Sequence, residues 1–177
     1  MIFKEQEIKG VYLITPEPYK DDRGMLRRHF CANEFRNKGI NFDIKQCNIS
    51  ENHKIYTLRG FHFQKGPYGE DKIISAMAGG IFDVVIDFRE NSATYLKTQK
   101  FELTAENRLA LLVPKGCANA YLTLYDNTWI FYYHSEFYAP GAEVGIRYND
   151  PFFNIKWPAT PKVISEKDLL YPDFKPL

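Results

Sequence analysis

In the stretch LRGFHFQ, from Leu58 to Gln64, an arginine, a glycine and a histidine interrupt residues that otherwise read as a buried strand. Histidine accepts a proton readily near neutral pH, and a guanidinium holds phosphate or carboxylate through a fixed fork of donors. Strict alternation puts Gly60, His62 and Gln64 on one face and Arg59, Phe61 and Phe63 on the other. A glycine inside a strand often marks a bulge, and a bulge at Gly60 turns Arg59 and His62 into the same space. From these residues alone the plainer account, a hydrogen-bonded core histidine and a surface arginine, is favoured.

Other polar groups recur on strand faces. In FDVVIDF, Phe82, Val84, Ile86 and Phe88 form an apolar face, while Asp83, Val85 and Asp87 share the other, so two acids look into one space. In TWIFYYH, Tyr132 and His134 share a face with Ile130, and in ANAYLTL, Asn119, Tyr121 and Thr123 line up together. This pattern fits the lined cavity of a small barrel better than a dry core.

The elements that must position these residues are strands. β-favouring segments occur at GVYLI, FDIKQCNIS, YTLRGFHFQ, KIISAM, GIFDVVIDF, KFEL, LALLVP, NAYLTLY and TWIFYYH, separated by turn signals such as DDRG, KGPYGED, AGG, PKG and YDN. The spacing predicts an all-β sandwich or barrel in one domain spanning residues 1–177. Helix signals are short: ANEFRNKG, with Asn33 as N-cap and Gly39 as stop, and one turn at SEKDLL.

Composition narrows the function class. Hydrophobic residues make up 45% of the chain and aromatics 16%, with 12 Tyr and 14 Phe against 3 Met, a bias toward β structure and toward surfaces on which flat ligands stack. A formal net charge of +1 gives no electrostatic reason to expect nucleic acid or a membrane as partner. Cys31, Cys47 and Cys117 are odd in number and widely spaced, which predicts reduced thiols in a cytoplasmic protein. No signal-peptide pattern opens the chain, and no apolar run is long enough to span a bilayer.

DDRG, QCNIS, LRGFHFQ, GGIFDVVIDFRENSATY, LTAENRLALLVPKGCANAYL, FYAP, YNDPFFNIKWP and SEKD follow one another here in an order and spacing that resembles the dTDP-4-dehydrorhamnose 3,5-epimerase family. The resemblance implies a cupin-type jelly roll with short peripheral helices, a homodimer that exchanges N-terminal strands, and catalysis without metal or organic cofactor. It implies an isomerase whose substrate is a nucleotide-diphosphate 4-keto sugar. The ketone acidifies the hydrogens on carbons 3 and 5, so inversion needs a base on one face and an acid on the other.

By this likeness His62 is the base, Asp168 of SEKD orients it, Tyr132 delivers a proton from the opposite face, and Lys72 stands near the developing enolate oxygen. Arg23, Arg59, Gln46 and Tyr138 match substrate-binding positions. Many cupins hold iron or manganese through a His-x-His pair, but His62 is followed by Phe63 and Gln64, so no metal is expected. His29, His53 and His134 are read as structural or exposed. A non-catalytic sugar-binding jelly roll remains the other class, because fold alone does not imply activity.

Two departures from the family pattern point toward a particular substrate. Asn119 of PKGCANAY stands where the family usually has a histidine, as it does in a subset acting on GDP-linked 4-keto heptoses in capsule synthesis. Arg28 of RGMLRRHF stands at a usually acidic position near the nucleotide, and an arginine can read the Hoogsteen edge of guanine through two donors. The expectation is therefore a 3- or 3,5-epimerase of a GDP-linked deoxy or heptose sugar. The dTDP-4-dehydro-6-deoxyglucose enzyme of dTDP-rhamnose synthesis is the alternative.

Overall fold

The strand signals assemble into two facing antiparallel sheets in the computed structural model, which describes residues 1–176. The first sheet contains β1 (Ile2–Glu5), β2 (Tyr12–Thr15), β5 (Gln46–Asn52), β7 (Lys72–Ala78), β10 (Ala110–Val113) and β12 (Thr128–His134), in the order β1-β2-β10-β7-β12-β5. The second contains β6 (Leu58–Gln64), β8 (Gly80–Asp87), β9 (Thr98–Thr104), β11 (Cys117–Thr123) and β13 (Glu143–Gly145), in the order β13-β6-β11-β8-β9. A separate hairpin pairs β3 (Tyr19–Asp21) with β4 (Gly24–Leu26) around the DDRG turn. This crossing order of antiparallel strands is the expected jelly roll.

Three apolar layers follow from the alternation. Ile74, Leu111 and Ile130 of the first sheet meet Ile81, Val85 and Leu103 of the second in the inner core. Phe35 and Phe42 cover the outer face of the first sheet at Ile14, Ile73, Ala110 and Leu112. On the outer face of the second, Phe61, Val84, Ile86, Ala118 and Ala120 pack under Phe153, Ile155, Trp157 and Phe174. Both faces of β8 and β11 are thus covered, which is why their sequences read as nearly continuous apolar runs. Burial of each large aromatic is worth about 1.5–3 kcal/mol, enough to seat the C-terminal segment against the sheet on both sides of Asp168.

Three short strand pairings escape the alternation pattern: β1 on β2, the β3–β4 hairpin and β13 on β6. The first helix, α1 (Ala32–Asn37), is capped at Cys31 and not at Asn33. The second, α2 (Glu166–Leu170), starts at Ser165, whose side-chain oxygen accepts from the Asp168 amide. Cys31, Cys47 and Cys117 carry free thiols, and no helix among the described residues is long and apolar enough to cross a membrane.

Candidate active site

The bulge anticipated at Gly60 is present. Arg59 pairs with Tyr121 and His62 with Asn119, so two residues of β6 face the single Ala120 of β11. Gly60 has φ +110, and a Cβ there would stand 2.6 Å from the Asn119 carbonyl oxygen and 2.7 Å from Ala120, so only glycine fits. The Gly60–Phe61 peptide is cis. Across the bulge Phe61 packs outward while Arg59 and His62 line one cavity of about 920 Å³.

Around that cavity stand Lys72, Asn119, Tyr121, Tyr132, His134 and Asp168 with Arg59 and His62. His62 Nε2 lies 2.6 Å from Asp168 Oδ1, and the Gly60 amide donates to Asp168 Oδ2 at 3.3 Å. Burial alone pushes the Asp168 carboxyl up, but the His62 hydrogen bond and charge, with the Gly60 amide and Ser165, bring it below its ordinary value. With Nε2 engaged, Nδ1 is the ring nitrogen left to accept a proton from a ligand.

Tyr132 comes from the facing sheet. Burial, the neighbouring Tyr121 hydroxyl and the Asp83 charge push its phenol well above the ordinary value, so it stays protonated. Lys72 Nζ donates to the His62 carbonyl and is 3.3 Å from Glu70. Glu70 also takes a 2.8 Å contact from His134 Nδ1, and the His134 ring stacks on Tyr132 at 5.7 Å. Burial raises the Glu70 carboxyl, yet His134 and Lys72 together hold it below its usual range.

An adjoining cavity of about 390 Å³ shares His62, Lys72 and His134 with the first and adds Gln46, Tyr138 and Glu143. Gln46 accepts from the Tyr138 amide at 3.2 Å, and the exposed Tyr138 ring offers a flat surface for a base. Arg59, Lys72 and Lys167 line the main cavity together with the acids Glu51 and Asp168; Lys167 is paired with Glu143, and Arg59 Nε is held by Asn52 at 2.9 Å. The Arg59 guanidinium suits a diphosphate.

The structure departs from the sequence reading at several positions. Arg23 is bound to Asp21 beside it in the hairpin turn, and Arg28 pairs with Glu34 at 2.6 Å; neither lines the cavity of its own chain. Asp83 and Asp87 do not share one space: Asp87, at the end of β8, takes hydrogen bonds from Arg89, Ser92 and Thr94 that overcome its burial and lower its pKa. His134, read as structural or exposed, lines the cavity, and its partner Glu70 had no signal in the turn sequence. His29 is structural, bonded to Ser75 at 2.9 Å. Among the described residues no group of three or more His, Cys, Asp or Glu side chains is arranged to hold a metal.

The model of the dTDP-4-dehydrorhamnose 3,5-epimerase family matches residues 5–176. The dTDP-4-dehydrorhamnose 3,5-epimerase of Sinorhizobium fredii is 36% identical over 97% of this chain and 89% of its own length. Among solved structures, the Bacillus anthracis enzyme of that name, with TDP and PPi bound, superposes with a TM-score of 0.95 at 33% identity over 98% of this chain and 99% of its own. ChmJ of Streptomyces bikiniensis, a 3'-monoepimerase in complex with dTDP-quinovose, gives 0.88 at 30% identity over 95% and 85%. A match across the whole jelly roll places this chain in the dTDP-4-dehydrorhamnose 3,5-epimerase family, as an isomerase of the nucleotide-sugar epimerase class.

Proposed function

We propose that the protein is a 3,5-epimerase of dTDP-4-dehydro-6-deoxyglucose, working in the cytoplasm without cofactor. The observation that carries this reading is a His62–Asp168 pair, from β6 and α2, and the Tyr132 phenol of the facing sheet around a single cavity. His62 removes the proton from the carbon beside the ketone, the electron pair moves to the C4 oxygen, and Tyr132 returns a proton from the other side. Lys72 offsets the charge on the enolate oxygen, an effect that is strongest in a site poor in water. Arg59 and Lys167 hold the diphosphate, and Tyr138 with Gln46 receives the base.

The GDP-linked heptose expected from the sequence, and the capsule pathway attached to it, find no support in the relatives, which carry dTDP-sugar names. Arg28, the residue meant to read guanine, is exposed and engaged with Glu34. We infer a homodimer because the β3–β4 hairpin leaves Tyr19 67% and Leu26 75% exposed. Exchange of N-terminal strands would cover these side chains and carry Arg23 to the neighbouring copy's cavity.

Incubation in deuterated water with dTDP- and GDP-linked 4-keto sugars, followed by mass and NMR analysis, tests the assignment. Deuterium at carbons 3 and 5 of the dTDP-sugar is the expected result. Exchange at carbon 3 alone would make it a 3-epimerase, exchange with the GDP-sugar only would restore the heptose reading, and exchange with neither would leave a sugar-binding protein.

A further inference from the structure

Lys72 of β7, His134 of β12 and Gln46 of β5 form one cross-strand row of the first sheet, and Tyr132 with Asn48 stands in a neighbouring row. Their polar groups join into one chain. The Tyr138 amide donates to Gln46 Oε1 at 3.2 Å, Gln46 Nε2 donates to Asn48 Oδ1 at 3.1 Å, and Asn48 Nδ2 lies 3.2 Å from His134 Nε2. His134 Nδ1 is 2.8 Å from Glu70 Oε2, and Glu70 Oε1 is 3.3 Å from Lys72 Nζ. The inner members, His134, Glu70 and Lys72, have side chains no more than 11% exposed.

A side-chain amide can turn over and a neutral imidazole can shift its proton, so the direction of each is set by what lies beyond it. Here both ends of the chain are fixed, because a backbone N–H and a lysine ammonium can only donate. From the Tyr138 N–H inward, each amide passes the direction on, and Asn48 presents its NH2 to His134 Nε2. That nitrogen must accept, so the ring proton sits on Nδ1 and points at Glu70. From the other end the Lys72 ammonium also points at Glu70. Two runs of donors that meet need one member that accepts on both sides, and among these side chains only a carboxylate does. Burial pushes the Glu70 carboxyl up, but the His134 hydrogen bond and the Lys72 charge hold it below its ordinary value, so the carboxylate prevails at neutral pH.

We propose that Glu70 and His134 are positioning residues: the carboxylate, accepting from the His134 Nδ1–H on one side and from Lys72 on the other, fixes the ammonium where the C4 oxygen of the 4-keto sugar gains its charge. This rests on the epimerase reading. Lys72 Nζ also donates to the His62 carbonyl, so the anchored ammonium is tied to the strand that carries the base. These two ties leave one of its three N–H donors for the ligand. The His134 ring lies against Tyr132, with centroids 5.7 Å apart and planes at 23°, so the same residue backs the acid. In the step itself the C–H electron pair moves to the C4 oxygen and the proton goes to His62; Glu70 and His134 exchange none.

Nitrogen-15 NMR of His134 and the rate of deuterium uptake from deuterated water test this together. In the wild-type protein at neutral pH, His134 should be the Nδ1–H tautomer. Glu70→Gln accepts on one side only, and its oxygen goes to the ammonium because a charge-assisted bond is the stronger. Its NH2 then faces His134 Nδ1, and the tautomer should switch to Nε2–H. With the anchor reduced to one neutral acceptor, deuterium uptake into the dTDP-sugar should slow about tenfold or more while KM changes less than about threefold. His134→Phe keeps a ring against Tyr132 but cannot donate, and should slow uptake as well. His134→Asn, whose NH2 reaches the Nδ1 position, should keep uptake within about threefold of wild type. Any other His134 state in the wild type, wild-type uptake in Glu70→Gln or His134→Phe, or equal loss in the two His134 variants overturns the proposal. Should the variants not fold, the wild-type tautomer decides. If no 4-keto sugar reacts, the epimerase reading fails separately, and the Glu70 anchor stands or falls on the tautomer switch.

Discussion

His62 Nε2 and Asp168 Oδ1 stand 2.6 Å apart across 106 residues of chain, joining the bulged strand β6 to the first turn of α2. Asp168 is 3% exposed, and its remaining oxygen is taken by the Gly60 amide, so the ring has one orientation open to it. Replacing Asp168 with Ala removes that orientation and should lower kcat by about 10²–10⁴-fold, with a smaller change in KM, as steady-state kinetics would measure. An equal rise in KM with kcat preserved would mean that Asp168 serves binding instead. Because the folded pKa of Asp168 lies below its ordinary 3.8, its stabilising effect is present above that pH and is lost as pH falls through the folded value.

Tyr132 and His62 approach the cavity from opposite sheets, so their variants should differ in kind. His62→Asn should abolish deuterium uptake at every carbon, since no enolate forms. Tyr132→Phe should retain part of the uptake while losing inversion, because abstraction survives and delivery to the other side does not. Complete loss of uptake in both would show that the acid and base roles cannot be divided this way.

Gly60→Ala meets the Asn119 carbonyl oxygen and Ala120, both backbone-fixed, at a φ that L side chains rarely adopt. Strain and overpacking together should cost about 2–4 kcal/mol in chemical denaturation. Relief of the strain by flattening the bulge would re-aim both Arg59 and His62, so activity should fall further than stability alone explains. A variant with native stability and rate would remove the bulge from the argument.

Asp83 has the opposite linkage to Asp168. Its folded pKa of about 8 lies above the ordinary 3.8, so its favourable contribution is complete below about pH 3.8 and disappears as pH rises through about 8. Asp83→Asn does not ionise and should gain stability relative to wild type over that interval. Paired thermal melts across it would read the gain as a Tm difference that grows with pH. A difference independent of pH would mean that the folded and unfolded pKa values coincide.

Much of this was legible in the residues alone, because strand faces have a period of two that needs no knowledge of neighbours. The strands carrying His62, Lys72, Asn119 and Tyr132, the glycine that lets β6 bulge and the helical turn at SEKDLL were all visible in local sequence. Motif order carried the family. Pairing across the fold decided the rest. Asp83 and Asp87 share a period, yet one ends behind Asn119 and the other in a loop cluster with Arg89, because β8 ends at Asp87. Glu70 lies in a turn with no periodicity, and it meets His134 only because β7 and β12 pair with Lys72 opposite His134. Arg23 and Arg28 are cations that stand outside their own chain's cavity, paired with carboxylates two and six residues away. Which charge meets which depends on long-range register, and register is set by burial of whole sheet faces, a property no single segment contains.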